Sequence, residues 1–142
     1  MSTDHQAPPI PQGDYVSAVV HAGVAYSAGM TPRRNGRLTI TGVVGSTVSL
    51  EQARGAARLA AANAVAAVRA ALPTGAGMRC LRMSVYIACV SGFHELSVVA
   101  DGASEAIVEA LGPEALPARS AIGVLSLPSG APVEVELIAA SV

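Results

Sequence analysis

The segment from Leu116 to Glu136 constrains the fold more than any other part of the chain. It contains an apolar run, a Pro-Ser-Gly break at 128–130, and then a stretch over 133–137 in which valine or leucine alternates with glutamate. Because successive side chains of a strand point to opposite faces, the alternation predicts a strand with one apolar face and one face that carries Glu134 and Glu136. We therefore predict two successive strands on either side of a tight turn.

Arg119 opens the first of these strands and is the only lysine or arginine after Arg82. The apolar residues that follow it predict a buried strand, with the guanidinium at the rim of the core. These residues are Ala121, Ile122, Val124, Leu125 and Leu127. The residues alone leave two interpretations of Arg119 open: a ligand-binding group, or an ordinary salt bridge at an interface, with Glu134 or Glu136 as the partner.

Two helices are predicted in the middle of the chain. The capping box Ser49-Leu50-Glu51-Gln52 predicts the start of a long, alanine-rich helix that ends near Leu72. A second helix is predicted over 95–111, where Gly112-Pro113 ends it. Asp101 provides an alternative, because it is suited to cap a shorter helix that begins at Ala103.

The remaining strands complete an α+β pattern. Two short apolar runs, 15–20 and 23–29, predict a hairpin, and the run 78–90 predicts the longest strand. The element order is then hairpin, helix, strand, helix, strand, strand. This order predicts a single domain over 13–142, with two helices on one face of a mixed sheet, after a flexible tail over 1–12. A ferredoxin-like arrangement fits the same periodicity.

Composition points to self-association. The 142 residues are 51% hydrophobic and only 13% charged, which is enough for one well-buried domain and leaves a surplus of apolar side chains. We expect other copies of the chain to cover part of that surplus. The N-terminal segment has no apolar leader, and Arg58 and Arg69 interrupt the most apolar long stretch. We therefore expect a cytoplasmic protein with no membrane partner.

The cysteines, histidines and arginines each have an ordinary interpretation. Cys80 and Cys89 lie on one predicted strand, about 30 Å apart, so we expect free thiols. No Cys or His stands at ligand spacing from His21 or His94, so we expect no metal. The net charge of −1 and the 3% aromatic content favour a solvated loop, without a nucleic-acid partner, for the three arginines of 31–37. These arginines are Arg33, Arg34 and Arg37.

Several short motifs resemble one known family. Ala118-Arg119-Ser120, Leu127-Pro128 and Val133-Glu134-Val135-Glu136 resemble the C-terminal signature of the RidA/YjgF/UK114 family, the reactive-intermediate imine deaminases. Gly13-Asp14-Tyr15 is similar to the family's Gly-Pro-Tyr, and the segment 26–32 is similar to its Ser-Gly-Gln-x-Pro turn. The resemblance covers 13–142 in the family's order. It implies a chorismate-mutase-like fold, and a homotrimer with sites in the clefts between subunits.

The resemblance also implies roles for individual residues. The family's arginine, here Arg119, pairs with the substrate carboxylate, which a guanidinium fork can bind through two parallel hydrogen bonds. The family's glutamate, here Glu134, activates the water that attacks an imine carbon, giving a 2-oxo acid or ketone and ammonia. Tyr15 helps to close the pocket, and backbone groups near Ser120 complete it. No metal or organic cofactor is implied.

Three positions depart from the family pattern. Ala28, Met30 and Ala121 stand where the family often has serine, glutamine and cysteine. We expect Met30 and Ala121 still to contribute to the substrate pocket. Because the departures replace polar groups, carboxylate binding is better supported than hydrolysis. A non-catalytic module that binds a small carboxylate is therefore the main alternative. Ribonuclease ranks last, because the sequence has neither a basic surface nor paired histidines.

Overall fold

The computed structural model describes residues 7–142, which form a five-stranded sheet, a separate two-stranded ribbon and two helices. In chain order the elements are β1 (Ala18–His21), β2 (Val24–Ser27), β3 (Arg33–Arg34), β4 (Arg37–Leu38), α1 (Leu50–Ala71), β5 (Met78–Ala88), α2 (Leu96–Leu111), β6 (Ala118–Val124) and β7 (Val133–Ser141). The predicted tail extends to residue 12, and its first six residues lie outside the described range. Over residues 7–142, neither helix has the length and apolar character needed to cross a bilayer.

The large sheet is mixed, as predicted. Its strand order is β1-β2-β7-β5-β6; β5 and β6 run parallel, and the other neighbours are antiparallel. Both helices pack on one face, where α1 lies mainly over β7 and α2 contacts β5 and β6. Six side chains of that face are buried, and they confirm the predicted alternation. They are Met83, Val85, Ile87, Val133, Val135 and Leu137.

Helix α1 begins as the sequence predicts. The Ser49 Oγ atom accepts a hydrogen bond from the Gln52 backbone N–H at 3.1 Å, and the Gln52 Oε1 atom accepts one from the Ser49 backbone N–H at 2.9 Å. The helix ends at Ala71, with Leu72 as its C-terminal cap. Its buried side is wider than the predicted stripe, because short alanine side chains let the helix lie between the sheet and α2. Ala53, Ala57, Ala60, Ala61 and Ala64 have no exposed surface.

Helix α2 is continuous through Asp101-Gly102, so the alternative of a shorter helix capped by Asp101 is wrong. Gly102 lies against α1: a Cβ atom added there would lie 2.2 Å from the backbone oxygen of Arg54. Glycine therefore allows the two helix backbones to approach closely. Ion pairs between Arg54 and Glu105 and between Arg58 and Glu109 also join the helices.

We expect Gly102→Ala to lower the free energy of unfolding by about 1–3 kcal/mol, because the new methyl group would overlap backbone that cannot rotate away. Gly55→Ala is the matched control, since Gly55 is also helical and a Cβ there meets nothing within 4 Å. Its helix propensity should raise stability by up to about 1 kcal/mol. Urea unfolding of both variants measures the difference. Equal stabilities would contradict the close approach.

The two cysteines are free thiols, as predicted. Cys80 is buried in the core, and burial raises the pKa of its thiol to about 11. A thiol with so high a pKa is a poor nucleophile near neutral pH. Cys80 therefore acts as a small apolar side chain, which agrees with the sequence interpretation.

The prediction that β6 is a buried strand is wrong. β6 is the edge of the sheet, with β5 as its only neighbour among the described strands. Ile122 is 40% exposed, and Leu125, just beyond the strand, is 92% exposed. The face of the sheet away from the helices also exposes Val19 and Tyr26. We call this the open face. An unpaired edge and exposed apolar side chains are features that proteins usually cover.

The arginine-rich segment forms a pair of short strands where a loop was predicted, while Arg34 and Arg37 are exposed to solvent as expected. β3 and β4 form a tight ribbon around Asn35 and Gly36, whose φ angles of 54° and 79° suit the usual two-residue hairpin turn. Asn63, buried in α1, holds this segment. Its side-chain amide donates hydrogen bonds to the backbone oxygens of Thr31 at 3.1 Å and Arg33 at 3.0 Å.

Candidate functional site

A cavity of about 330 Å³ lies beside the start of β7. Its walls come from the segment before β1, the loop between β2 and β3, β3 itself, the turn before β7, and β7. The lining residues are Gln12, Tyr15, Ala28, Gly29, Thr31, Arg33, Pro128, Ser129 and Glu134. The cavity thus gathers one carboxylate, one guanidinium, one phenol and two hydroxyl groups.

Glu134 forms the β7 side of the cavity. Its side chain lies against the backbone of Gly29, where an added Cβ would lie 2.6 Å from Cδ and 2.8 Å from Oε1 of the carboxylate. Burial raises the pKa of Glu134, and the charge of Glu136 raises it further. A carboxyl group with a raised pKa at a cavity wall is suited to transfer protons.

Glu136 has a different environment from Glu134. Its Oε1 atom accepts a hydrogen bond of 2.7 Å from the hydroxyl of Tyr86 on the open face. That bond is the main cause of the raised pKa of Tyr86. Glu136 does not line the cavity, so it acts on Glu134 through its charge and has no contact with a ligand there.

Tyr15 forms the opposite wall from the N-terminal side. Its ring is about half exposed, and its hydroxyl oxygen accepts a 3.0 Å hydrogen bond from the backbone N–H of Gln12. This bond fixes the segment 12–15 as a short cover over the cavity. The structure therefore brings together two of the predicted site residues, Tyr15 and Glu134.

Arg119 lies on the other face of the sheet. It pairs in register with Met83, whose side chain is buried under the helices, so the guanidinium faces α2. Its Nη1 atom donates to Asp101 Oδ1 and to Ser104 Oγ, both at 2.9 Å, and its Nη2 atom donates to Ser97 Oγ at 2.8 Å. Within one chain the register places Glu134 and Glu136 on the open face, so an ion pair of Arg119 with either glutamate requires a second subunit. The ion pair of Arg119 is with Asp101.

The other three predicted site residues lie outside the cavity. Ser120 shares the open face with Ser84, and its hydroxyl accepts a hydrogen bond from Arg82. Ala121 is half-buried on the same side of β6 as Arg119. Met30 is buried in the core, and its backbone N–H and oxygen form hydrogen bonds of 2.7 and 2.8 Å with Val135.

Arg33 is the cavity residue that sequence reasoning assigned elsewhere. Its Nη1 atom donates to the Gly36 backbone oxygen at 2.9 Å, and its Nη2 atom donates to Ser129 Oγ at 3.3 Å. The signal that could have revealed it is the Asn35-Gly36 pair, which favours a tight hairpin over a loose loop. A hairpin there returns the chain toward its starting point and holds Arg33 in place.

Metal ligands are not clustered in the described part of the chain. Within residues 7–142, no three His, Cys, Asp or Glu side chains are grouped closely enough to hold a metal ion. The side chains that line the cavity can transfer a proton, through Glu134, and form hydrogen bonds, through Gln12, Tyr15, Thr31, Arg33 and Ser129.

Comparison with known proteins identifies the family. The sequence profile of the family described as endoribonuclease L-PSP matches residues 5–141. Protein TCP17 of Trypanosoma cruzi is 33% identical over 130 residues, covering 90% of this chain and 81% of TCP17. The crystal structure of Atu1372 from Agrobacterium tumefaciens, a protein of unknown function, is 32% identical, with a TM-score of 0.84 over 91% of this chain and 82% of that chain. The structure of the Escherichia coli YjgF gene product has the same fold, with 23% identity and a TM-score of 0.68 over 97% of this chain and 98% of that chain. The chain therefore belongs to the endoribonuclease L-PSP family, which is the family of the RidA and YjgF proteins.

Proposed function

We propose that this protein is an enamine/imine deaminase that converts a small carboxylate-bearing imine to a 2-oxo acid and ammonia. The observation that carries the proposal is Glu134, a carboxyl group with a raised pKa that is held at a cavity wall by contact with Gly29. The motifs around Arg119 and Glu134, which resemble those of the imine deaminases, support the same reaction class.

The reaction needs one group that both accepts and donates a proton. Glu134 takes a proton from water as the water oxygen adds to the carbon of the protonated imine, which gives a neutral carbinolamine. Glu134 returns this proton to the nitrogen, the carbon–nitrogen bond breaks, and the carbinolamine hydroxyl loses its proton to the released ammonia as the carbonyl of the 2-oxo acid forms. Because its pKa is raised, the Glu134 carboxylate is a stronger base than that of an ordinary glutamate, and a larger fraction of the group holds a proton at a given pH. Tyr15 covers the cavity and limits the entry of bulk water.

The carboxylate anchor requires a second copy of the chain. In one chain, Arg119 and Glu134 lie on opposite faces of the sheet, so they cannot contact one small substrate. We propose a homotrimer in which the open face, with its exposed Val19, Tyr26 and Ile122, packs against a neighbouring subunit. The neighbour's β6 edge then places its Arg119 at the mouth of the Glu134 cavity.

Two substitutions test Arg119 as the anchor. Arg119→Lys should weaken the binding of a 2-oxo acid at least about tenfold, or about 1.4 kcal/mol, because an ammonium cannot contact both carboxylate oxygens from the same position. Asp101→Asn should strengthen binding, because it keeps an oxygen acceptor but removes the charge that competes with the ligand for Arg119. Calorimetric titration measures both effects.

Glu105→Gln is the matched control for Asp101→Asn. It removes a charge from the same helix, but Glu105 pairs with Arg54 and Arg58, not with Arg119. Light scattering on each variant shows whether the oligomer persists. Unchanged affinity in Arg119→Lys, or loss of affinity only together with loss of the oligomer, would show that Arg119 is structural.

The activity itself is tested by ammonia release from imines generated in situ by an amino-acid oxidase. A deaminase increases the rate of release in proportion to its concentration. The alternative, a non-catalytic module, would bind 2-oxo acids but leave the rate at its uncatalysed value. Ribonuclease activity, which the family description mentions, has less support, because none of the residues lining the cavity is a histidine.

A further inference from the structure

Arg33 carries a buried donor that nothing in the described structure satisfies. Its Nε atom is inaccessible to solvent and has no hydrogen-bond partner. The other two nitrogens donate only to neutral oxygens, and Arg33 forms no salt bridge within residues 7–142. A buried polar group without a partner lowers stability, and a guanidinium without a counter-charge does so more strongly. An acidic ligand group would relieve both deficits.

The orientation of Arg33 is fixed from two sides. On one side, the Asn63 side-chain amide donates hydrogen bonds to the backbone oxygens of Thr31 and Arg33, at 3.1 and 3.0 Å. On the other side, Ser129 Oγ accepts a hydrogen bond from the Arg33 guanidinium. The backbone of Ser129 has a left-handed φ of 59°. Strained backbone of this kind is commonest at functional sites. The guanidinium is therefore held in place before any ligand arrives.

The edge of the guanidinium that carries the unsatisfied Nε has the shape that recognises a carboxylate, and a ligand reaches it by displacing the groups that shield Nε from solvent. Nε and Nη2 lie on the same edge of the group, and this edge can donate two parallel hydrogen bonds to one carboxylate. Nη2 has only a long contact of 3.3 Å with Ser129, which a carboxylate oxygen can replace. Arg33 and Glu134 line the same cavity without forming a salt bridge, so a ligand can lie between them.

We propose that Arg33 binds a second acid group of the substrate, so that the preferred substrates are imines of amino dicarboxylic acids. This inference rests on the proposed function, in which Arg119 of a neighbouring subunit binds the carboxylate next to the imine carbon. Arg119 already pairs with Asp101, so a monoacid imine bound through Arg119 would leave Arg33 without a counter-charge. A diacid supplies a carboxylate to each, and the cavity of about 330 Å³ has room for its short chain.

The experiment compares imines generated in situ from aspartate or glutamate with imines from alanine or 2-aminobutyrate. Wild-type protein should have at least about a tenfold higher kcat/KM for the diacids. Arg33→Met should lower the ratio of diacid to monoacid kcat/KM at least about tenfold. Arg33→Lys should keep part of the ratio, because it keeps the charge. Arg37→Met is the control, since Arg37 is exposed on β4 and does not line the cavity; it should leave the ratio unchanged.

The outcomes separate this inference from the proposed function. Wild-type protein that hydrolyses imines without a diacid preference would show that Arg33 does not select substrates. An equal fall in kcat/KM for diacid and monoacid imines in Arg33→Met would show the same. In either case the inference fails and the proposed function stands. If wild-type protein hydrolyses no imine, the proposed function fails. Titration with 2-oxo diacids and 2-oxo monoacids then decides the inference: tighter diacid binding that Arg33→Met abolishes supports it, and equal binding overturns it.

Discussion

Glu134→Gln should lower the rate of imine hydrolysis about 10²- to 10⁴-fold, because an amide of the same size cannot accept the proton that water must lose. The shape of the cavity is preserved, so affinity for a 2-oxo acid should change much less than the rate. Ammonia release at saturating substrate measures the first effect, and calorimetric titration measures the second. Glu136→Gln is the control: Glu136 contacts Tyr86 outside the cavity and acts on Glu134 only through the smaller cause of its raised pKa, so this variant should lose much less of the rate than Glu134→Gln. A Glu134→Gln rate within tenfold of wild type would remove Glu134 as the base.

The same substitution should stabilise the protein, with a definite pH dependence. The pKa of Glu134 is higher in the folded than in the unfolded state, so the folded state holds its proton more tightly. Stability is therefore lost as pH rises from the unfolded pKa, about 4.3, through the folded pKa. Glu134→Gln cannot ionise and avoids this loss. Its thermal midpoint should exceed that of wild type near neutral pH, and the difference should vanish below about pH 4.

The fold was predictable wherever local chemistry determines it. The capping box at Ser49 fixes the start of α1, and the alternation over 133–137 fixes the two faces of β7. The position of β6 was not predictable in this way. An apolar run such as that after Arg119 is compatible with a central strand or with an edge strand that other subunits cover. Only the pairing of β6 with β5 alone distinguishes the two.

Individual residues of the candidate site were predictable from the sequence, but their arrangement in space was not. Periodicity shows which residues of one strand share a face, but not which face of the next strand aligns with it. Arg119 and Glu134 therefore looked like neighbours, whereas the register places them on opposite faces of the sheet. Arg33 was missed for another reason. Clustered arginines are usually solvated, and only the ribbon around Asn35 places this one at the cavity.

Gly29→Ala should have the second largest effect, a fall in the hydrolysis rate of about 100-fold, since misplacing a catalytic group by about 1 Å can cost that much. An added methyl group would lie 2.6 Å from Cδ of Glu134 and must push the carboxylate away. The displaced atoms are the end of a flexible side chain, so the fold should persist, with a thermal midpoint near that of wild type.

A double-mutant cycle shows whether Gly29→Ala acts through Glu134. If it does, adding Gly29→Ala to Glu134→Gln should change the rate little further, because the displaced group is already inactive. The amide has the same size as the carboxylate, so the steric effect is equal in both backgrounds. If Gly29→Ala instead lowers the rate about 100-fold in both backgrounds, it acts on substrate access or on the loop before β3. The contact between Gly29 and Glu134 would then not position the catalytic carboxylate, and the rate of Glu134→Gln alone would still decide whether Glu134 is the base.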